Sequence, residues 1–409
     1  MQLSHKIELK PTIKQIKYFK KACGTARFVW NWALTEWEKQ YELSKQDESI
    51  LKPTGIGLKK QFNAVKKKEY PWMYEVTKYA SQQPFIQLQR SFNNWFRDIK
   101  KPKNQKQFQR PKLKKKNKSK DSFYVGGDQV KIIGKKVKIP NLGWVNMKEF
   151  LRFEGKINSM TISRSADRWY VSFSVNIKIE PALCESQARV GIDLGINKLA
   201  TLSNGEEKQG SKPLKRLLRR LKRYQRELSK KTKGSKNRKK IQMKIARLHR
   251  KIVNMRHDNL HKLTSYVTDN FKFIAIEDLN VKGMLSNHKL ARSISDMGFY
   301  EFKRQLMYKA ELKKCHVIIA NQWFASSKTC CICGKINKEL TLADREFSCS
   351  CGNLMDRDLN AAKNLEGLFC TESSSGNYAC VQDGNVFAYY APSQPAWVNQ
   401  EASPMTVRL

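Results

Sequence analysis

The chain has 409 residues, with 79 Lys and Arg against 36 Asp and Glu, and its formal net charge is +43. Such an excess of positive charge repels itself unless a polyanion neutralises it. Because the charge is clustered, we favour a nucleic-acid partner over the alternative of a soluble protein from a generally basic proteome. Since we find no apolar run long enough to cross a bilayer and no signal-peptide pattern, we expect neither a membrane-spanning nor a secreted protein. Ten cysteines then indicate thiols that bind metal in a reducing compartment.

The first part of the chain predicts a strand followed by helices. Apolar and polar residues alternate over residues 1–10, which is typical of a strand, and Thr12 can cap the helix that follows. A second helix is predicted from about Thr25 to Leu43. Its aromatic side chains are expected mostly in a core, with nucleotide stacking as the alternative.

Residues 59–98 predict further helices that break near Pro71 and Pro84. Lys78 and Gln82 lie one turn apart on the same helical face. The pair is interpreted either as a solvated pair or as a contact to bases or phosphates.

A basic linker covers residues 97–120, where twelve Lys and Arg accompany the single acid Asp98. A run of charge is often a solvated tail, but this one lies between folded segments, which favours a strip that follows a nucleic-acid backbone. Its candidate contacts include Lys114, Lys115 and Lys116.

From residue 122 onward the pattern is that of strands, with a turn at Gly134 and a hairpin over 161–175. This small β-rich module resumes the strand character of residues 1–10. The helical segment 11–98 is therefore interpreted as an insertion within the module.

A new domain is predicted from about residue 188. Its buried strands are Val190–Gly195, Leu199–Ser203, Phe271–Ile276 and Val317–Ala320, with a helix over Met297–Lys313 before the last of them. Strands that alternate with helices in this order indicate an α/β domain.

Between Lys212 and Arg256 the domain contains 20 Lys or Arg and one acid, Glu227. Leucine and isoleucine recur at spacings of three and four on both sides of a turn-like stretch, which predicts an antiparallel helical hairpin with an apolar seam. An ordinary surface hairpin is the alternative, but this one lacks the acids that normally neutralise such a helix. The candidate nucleic-acid contacts on its outer surface are Arg219, Arg220 and Arg223.

Four cysteines form two pairs with a short excursion between them: Cys330, Cys333, Cys349 and Cys351. Four thiolates on two short loops suit the tetrahedral geometry of structural zinc. Gly334 and Gly352 follow the pairs and allow the backbone to turn. The second pair has only one intervening residue, so Cys331 is kept as a substitute ligand, and a redox pair is the alternative function.

Three acids stand at positions that favour metal binding. Asp193 and Glu277 each end a buried strand, and Asp358 lies just inside a helix. A carboxylate at the end of an apolar strand is costly to desolvate unless it binds something positive. Three of them can hold two Mg²⁺ ions roughly 4 Å apart, an arrangement that activates water and stabilises the leaving oxygen of a phosphodiester. Asp356 competes for the third place, and Asn360 is interpreted as a ligand-orienting residue or a local cap.

Several of these segments closely resemble the OrfB or TnpB family of transposon-encoded proteins: GIDLGINKLATLSNG, AIEDLNVKGM, SISDMGFYEFKRQLMYKA, SSKTCCICG and CGNLMDRDLNAAKN. PTIKQIKYFKKACGTARFVWNWAL resembles the N-terminal helix-turn-helix segment of the family, and KIPNLGWV resembles its middle module. The resemblance extends over about residues 5–365 in the same order.

The resemblance implies an α/β fold with all-β and all-α parts. These are an RNase H-like RuvC nuclease domain interrupted by a zinc-ribbon, and a preceding β-barrel wedge module with an inserted helical recognition lobe. The implied boundaries are 1–10 and 122–182 for the wedge module, 11–121 for the lobe and basic linker, 188–325 and 353–368 for the nuclease domain with its hairpin at 212–256, 326–352 for the zinc-ribbon, and 369–409 for a weakly ordered tail.

The resemblance also implies RNA-guided cleavage of double-stranded DNA, with a guide RNA made from the transposon end and a short transposon-adjacent DNA motif read by the protein near Lys78 and Gln82. The catalytic triad that binds Mg²⁺ falls on Asp193, Glu277 and Asp358, and the four zinc ligands fall on the paired cysteines. We expect a prokaryotic, cytoplasmic, nucleoid-associated protein and favour a monomer.

Two alternatives stay open. One is a non-cutting, RNA-guided DNA-binding repressor, which would have no reason to keep the three acids. The other is a guide-free DNA-binding accessory of transposition.

Overall fold

The structure, a computed structural model, describes residues 2–102, 106–177, 184–341 and 344–369, together with the backbone of 388–389. It divides into two compact units, Met1–Ile179 and Glu180–Leu409. Within the described ranges, no helix combines the length and the hydrophobicity needed to cross a membrane.

The first unit is built on a seven-stranded antiparallel sheet in the order β2-β6-β7-β1-β5-β4-β3. The strands are β1 Gln2–Lys10, β2 Ser122–Gly126, β3 Lys131–Ile133, β4 Lys136–Ile139, β5 Gly143–Met147, β6 Lys156–Ser165 and β7 Arg168–Asn176. The N-terminal strand therefore lies in the middle of a sheet made otherwise from strands after residue 121. Among the described residues the two end strands are not paired with each other, so the hydrogen-bonded ladder is open.

The helices of this unit lie between β1 and β2 in the chain. They are α1 Ile13–Gln46, α2 Gly55–Glu69 and α3 Lys78–Ile99, with a 3-10 turn over Pro71–Glu75. Thr12 caps α1 as predicted: its hydroxyl accepts from the N–H of Gln15, whose side chain accepts from the N–H of Thr12.

Two expectations about these helices were wrong. The two helices predicted before residue 46 are one continuous helix, because no proline interrupts the segment and side chains on both sides of Gly24 are buried in the core. Pro84 lies inside α3 instead of ending it. The lost hydrogen bond is tolerated because the apolar face of α3, including Phe85 and Phe92, packs in the helical core.

The aromatic residues of α1 lie in that core. Trp37 stacks on Phe92 with ring centroids 4.4 Å apart, and Trp32 meets the edge of Phe62 at 4.8 Å. Such pairs add to the area that the rings bury. They therefore stabilise the helical layer, as the core interpretation expected.

The second unit contains a six-stranded sheet in the order β10-β9-β8-β11-β12-β15 and a separate pair, β13 and β14. Its strands are β8 Arg189–Asp193, β9 Ala200–Leu202, β10 Glu207–Lys208, β11 Phe273–Glu277, β12 His316–Ala320, β13 Glu346–Ser348, β14 Leu354–Asp356 and β15 Ala388–Tyr389. β11 runs parallel to both β8 and β12, whereas the outer strands are antiparallel. The central strands are apolar on both faces, as a covered parallel sheet requires.

The helices of the second unit are α4 Pro213–Ser229, α5 Lys236–Asn270, α6 Val281–Met284, α7 Ala291–Met297, α8 Phe299–Lys313 and α9 Arg357–Glu366. α4 and α5 form the expected hairpin, with Leu221, Tyr224 and Ile252 in its apolar seam. α5 extends beyond the predicted end of the hairpin, and its last turns pack in the core of the sheet.

The predicted tail of residues 369–409 lies, apart from Phe369 and the backbone of β15, outside the described residues. Ala388 and Tyr389 pair with Ile319 and Ile318 at the edge of the sheet.

Candidate active site and metal centre

Three acids from three separate elements meet at one edge of the second sheet. β8 and β11 are parallel neighbours with Ile192 beside Ile276, so Asp193 and Glu277 leave the sheet at the same end. α9 begins at Arg357, which places Asp358 in its first turn. All three carboxylates are half-buried.

A glycine explains how α9 comes so near to β8. A Cβ at Gly191 would lie 1.9 Å from the carbonyl oxygen of Ala362 and 2.5 Å from the nitrogen of Glu366, so no other residue fits without moving the helix. Gly191 and Asp193 share one face of the strand, and Asp358 and Ala362 share one face of the helix. The close packing of these faces brings the carboxylates of Asp193 and Asp358 together.

The electrostatics of the site show that the acids repel one another. Burial, followed by the nearby carboxylates of Glu277 and Asp358, raises the pKa of Asp193 to about 8. Burial also raises the pKa of Glu277, which Asp358 reinforces, although a hydrogen bond from Ser326 acts in the opposite direction. A divalent cation would relieve this repulsion.

The carboxylate oxygens of the three acids are farther apart than the ligands of a single bound metal ion. Among the described residues, the one group of three or more His, Cys, Asp or Glu whose ligand atoms all lie within 4.8 Å of one another consists of cysteines. The carboxylates are therefore close enough to interact through their charges but too far apart for all three to bind a single small ion without movement.

The structure distinguishes Asp358 from its competitor. Asp356 is the N-cap of α9, where its Oδ1 accepts hydrogen bonds from the backbone N–H groups of Asp358 and Leu359 at 2.9 and 3.1 Å. Its other oxygen lies 3.1 Å from Nζ of Lys198, which also pairs with Glu207 at 2.7 Å. Burial alone would raise the pKa of Asp356, but these bonds outweigh it and leave the pKa lowered.

Sequence reasoning missed three residues around the acids. Ser326 donates its hydroxyl to the Glu277 carboxylate, Lys198 pairs with Asp356, and Arg357 lies 3.4 Å from the Asp358 carboxylate. The adjacency of Arg357 to Asp358 in the chain was the available signal for that contact. The other two depend on contacts between segments that are distant in sequence.

The four paired cysteines meet as predicted. Their sulfurs all lie within 4.8 Å of one another, with Cys330 and Cys351 3.7 Å apart and Cys333 and Cys349 3.5 Å apart. Zinc–sulfur bonds of about 2.3 Å in a tetrahedron require sulfurs about 3.8 Å apart, so the donor set can bind a zinc ion. The single residue between Cys349 and Cys351 does not prevent this convergence.

The surroundings of Cys330 favour a thiolate, but those of Cys351 do not. Burial would raise the pKa of Cys330, but the N–H groups of Cys333 and Ile332 and the amide of Asn353 lower the pKa to about 6. The N–H of Asn353 lowers the pKa of Cys351, and hydrogen bonds shared with the other cysteine sulfurs outweigh it and raise the pKa to about 12. The sulfur of Cys331 lies outside this group of four, 3.8 Å from the sulfur of Met355. Cys331 is therefore not needed as a substitute zinc ligand.

Gly334 and Gly352 have φ angles of 75° and 88°, the left-handed conformation expected for the turns after each cysteine pair. Their substitution by another residue would strain both turns.

Two asparagines of α9 join the cysteine loops to the acidic site. Asn360 is fully buried; its carbonyl oxygen accepts from the N–H of Cys331 at 3.0 Å, and its amide donates to Thr329 at 2.7 Å. Asn364 donates to the carbonyl groups of Ser326 and Thr329. Asn360 is thus a tether between α9 and the first cysteine loop.

The candidate nucleic-acid contacts of the first unit differ in accessibility. Lys78 is exposed at the start of α3 and lies 3.5 Å from Asp128, and Gln82 is half-buried one turn later. Lys115 and Lys116 are exposed, whereas the ammonium of Lys114 lies 3.7 Å from the ring centre of Trp30.

Burial lowers the pKa of Lys114 to about 8. Trp30 and Asn31 also bind the backbone carbonyls of Lys112 and Lys114, so the strip lies against α1. Lys114 therefore fixes the strip in place, and the exposed cations lie on either side of it.

On the hairpin of the second unit, Arg219, Arg220 and Arg223 are all exposed on α4. Arg220 donates to the hydroxyl of Tyr224 at 3.0 Å, and Arg223 lies 3.8 Å from Glu227. The outer face of α4 is therefore a cationic surface with one weak internal ion pair at this position.

Family models match three parts of the chain. The model of OrfB_IS605, described as "Probable transposase", matches residues 172–288; a "Cas12f1-like, TNB domain" model matches 299–365; and the "Helix-turn-helix domain" model HTH_OrfB_IS605 matches 1–46.

Two curated relatives align along most of the chain. A Streptomyces pristinaespiralis protein named "Putative RNA-guided DNA endonuclease" is 33% identical over 375 residues, which cover 90% of this chain and 89% of the relative. An Escherichia coli K12 protein named "Putative RNA-guided DNA endonuclease InsQ" is 31% identical over 376 residues, which cover 88% and 90% of the two chains.

Among solved structures, the chain in the "Cryo-EM structure of the Cas12f1-sgRNA-target DNA complex" resembles this one with a TM-score of 0.50 and 15% identity, covering 85% of this chain and 82% of that chain. At this identity the match establishes a shared fold.

Proposed function

The chain belongs to the OrfB (TnpB) family, and from this premise we propose that it is an RNA-guided endonuclease that cuts double-stranded DNA. Its guide would be an RNA from the transposon end, and it would cut beside a target that follows a short transposon-adjacent motif. The names of the two relatives that align along most of the chain, together with the fold shared with Cas12f1, support this proposal.

The single observation that supports cutting is the convergence of Asp193, Glu277 and Asp358. We assign these carboxylates to two Mg²⁺ ions. The donors fit, because they are all oxygen, half-buried and mutually repulsive. When bound, such ions supply Lewis acidity for the hydrolysis of a phosphodiester.

The neighbouring residues of this chain hold the three donors in place. Ser326 fixes one oxygen of Glu277 by its hydroxyl hydrogen bond. Asp356 caps α9 and so fixes the first turn that contains Asp358, while Lys198 holds Asp356. Arg357 offers a cation beside Asp358 that can also attract a phosphate.

The other modules are assigned by the same proposal. The seven-stranded sheet would serve as the wedge module and α1–α3 as the recognition lobe, with Lys78 and Gln82 near the transposon-adjacent motif. The basic strip at 97–120 and the α4–α5 hairpin would hold the RNA–DNA duplex through its backbone charge. The cysteine site would bind one structural zinc ion, measurable as one zinc per chain, and the protein would act as a monomer at the nucleoid.

The test uses the protein purified with its co-expressed RNA, a plasmid that matches the guide, and Mg²⁺. We expect the wild type to cut the plasmid and Asp193→Ala to bind it without cutting. Asp278→Ala is the matched control, because Asp278 follows Glu277 but pairs with Lys303 at 2.6 Å, and it should cut normally.

An intact plasmid with equal binding by the wild type and Asp193→Ala would contradict the nuclease proposal and favour the RNA-guided repressor. Sequencing of the co-purified RNA distinguishes a guided protein from a guide-free DNA-binding accessory of transposition. A defined RNA supports the guide, whereas random fragments would support a guide-free accessory protein.

A further inference from the structure

The loop of residues 321–326 presents an unusually exposed tryptophan. Trp323 is 79% exposed, the second most exposed of the large hydrophobic residues in the described part of the chain. An indole has a large apolar surface that proteins normally cover. The loop follows β12, which is the neighbour of the strand that ends at Glu277.

Both ends of this loop contact the strand end of the acidic site. Ala320, just before the loop, is the register partner of Glu277, and its carbonyl accepts from the N–H of Asp278 at 3.2 Å. Ser326, at the other end, donates its hydroxyl to the Glu277 carboxylate. Trp323 is three residues from each of these contacts, so its Cα lies within about 11 Å of both corresponding Cα atoms.

The loop is held firmly on either side of the indole. The Asn321 side chain accepts from the N–H of Trp323 at 2.9 Å, and the Asn321 carbonyl accepts from the N–H of Phe324 at 2.9 Å. Phe324 packs against a core cluster that includes Leu365 and Phe369. Because the residues on both sides are held by hydrogen bonds and packing, Trp323 is exposed on a turn of defined conformation.

The surroundings of Trp323 suit a nucleobase better than a protein partner. Gln322, just before the indole, is exposed and polar, and Phe324, just after it, packs against a buried cluster, so the indole is not part of a continuous exposed apolar strip of the chain. An exposed aromatic ring of this kind matches the platforms on which single-stranded bases stack. The chain's net charge of +43 is complementary to a nucleic acid.

We propose that Trp323 stacks on a nucleobase of the single DNA strand that enters the acidic site, within one or two nucleotides of the phosphate that is cut. This inference rests on the proposed nuclease function and adds a base-binding subsite to it. The platform accepts every base through its π face, so it positions the strand without selecting its sequence.

The first experiment measures cleavage of substrates in which one nucleotide near the cut is abasic. For the wild type, one abasic position should lower the cleavage rate by about 5- to 150-fold, the range expected from the loss of one base stack. Trp323→Ala should cut the intact substrate more slowly by a similar factor and should lose the response to that abasic position. Trp323→Phe should keep most of the rate and the response.

Trp144→Ala is the matched control, because Trp144 is another partly exposed tryptophan, on β5 of the first unit. This variant should keep the wild-type response to the abasic position.

A second experiment does not depend on cutting. 2-Aminopurine is placed at the sensitive position, or at each position around the expected cut, and its fluorescence is measured on binding without Mg²⁺. Stacking should quench the fluorescence with the wild type and Trp323→Phe, and the quenching should be lost with Trp323→Ala.

The outcomes separate the two proposals. If the wild type cuts but Trp323→Ala responds to every abasic position as the wild type does, the base subsite is wrong and the nuclease proposal stands. If the wild type cuts no substrate, the nuclease proposal fails and the quenching experiment decides the subsite alone. Unchanged quenching in Trp323→Ala would overturn the subsite in either case. The Trp323→Phe variant keeps an aromatic ring, so it shows whether an effect of Trp323→Ala comes from the lost ring or from misfolding.

Discussion

At the scale of single residues, the acids of the candidate site depend on side chains that hold them. Lys198 lies between the sheet and α9, where it pairs with both Asp356 and Glu207. Asp356 in turn caps the helix that presents Asp358. Lys198 is therefore a positioning residue that acts through Asp356.

We expect Lys198→Met to lower the cleavage rate by about 10- to 100-fold with little change in DNA binding, because a small displacement of a catalytic group is costly. Higher Mg²⁺ concentrations should recover part of the rate, and Lys198→Arg should keep most of it. The measurement is the Mg²⁺ dependence of single-turnover cleavage.

Lys208→Met is the control for this prediction. Lys208 lies in the same sheet and pairs with Glu206, not with the cap of α9. Equal losses in both variants would contradict a specific effect of Lys198.

The mutual repulsion of the acids predicts a pH dependence of stability. The ordinary pKa of Asp193 is 3.8, and burial with the adjacent Glu277 and Asp358 raises it to about 8. Between these pH values the folded, Mg²⁺-free protein keeps a proton that the unfolded chain has released. The free energy of unfolding should therefore fall as the pH rises from about 4 to about 8, by at most about 1.4 kcal/mol per pH unit from this group.

Urea unfolding in buffers without added divalent ions measures this slope. Asp193→Asn should have a shallower slope than the wild type, and Mg²⁺ should stabilise the wild type most near pH 8, where the carboxylate is free to bind it. The same slope in both proteins would show that Asp193 does not hold the proton.

At the scale of elements, the packing of α9 on β8 determines whether the site exists. The contact at Gly191 leaves no room for a side chain, and the same helix binds the first cysteine loop through Asn360 and Asn364. α9 thus joins the acidic site and the proposed zinc site into one rigid arrangement.

We expect Gly191→Ala to destabilise the protein by about 1–3 kcal/mol, because a methyl group there must displace the backbone of α9. Cleavage should fall by about 100-fold or more, since Asp358 moves with the helix. Gly367→Ala, at the other end of α9, meets no atom within 4 Å and should leave both stability and cleavage near the wild type. Thermal unfolding and cleavage rates measure the two effects, and full activity in Gly191→Ala would contradict the role of this packing.

At the scale of the whole molecule, the dominant feature is the net charge of +43. The hairpin of α4 and α5 concentrates cations outside an apolar seam, and the strip near Lys115 adds more in the first unit. Charge of this kind determines how strongly a nucleic acid binds at a given salt concentration.

We predict that replacing Arg216, Arg219 and Arg223 together by Gln weakens nucleic-acid binding and lowers its salt dependence. Each lost phosphate contact removes about 0.7 to 0.9 from the slope of log K against log salt, so the slope should become shallower by about 2 to 3. Titrations of the guide-loaded protein with target DNA at several salt concentrations measure it. An unchanged slope, with an unchanged circular dichroism spectrum, would show that this face of α4 does not bind phosphates.

Local patterns determined much of what could be predicted. Features that depend on a few consecutive residues were predicted, because the conformational preference of each residue follows from its side chain. They include the cap at Thr12, the turns at Gly334 and Gly352, and the two cysteine pairs. Local rules failed at Pro84 and at the join within α1, because packing of the aromatic core outweighed a proline and a glycine.

The candidate site shows the same division. Sequence patterns were enough to predict that Asp193 and Glu277 end buried strands, that Asp358 opens a helix, and that the net charge favours a polyanionic partner. The contacts of the folded chain were needed to learn that these acids share one edge, that Asp356 is a cap, and that the loop of Trp323 is anchored at both ends to the strand end at Glu277. The reason is physical: strand ends and helix starts follow from local preferences, whereas the register of parallel strands and the approach of α9 to Gly191 depend on packing between distant segments.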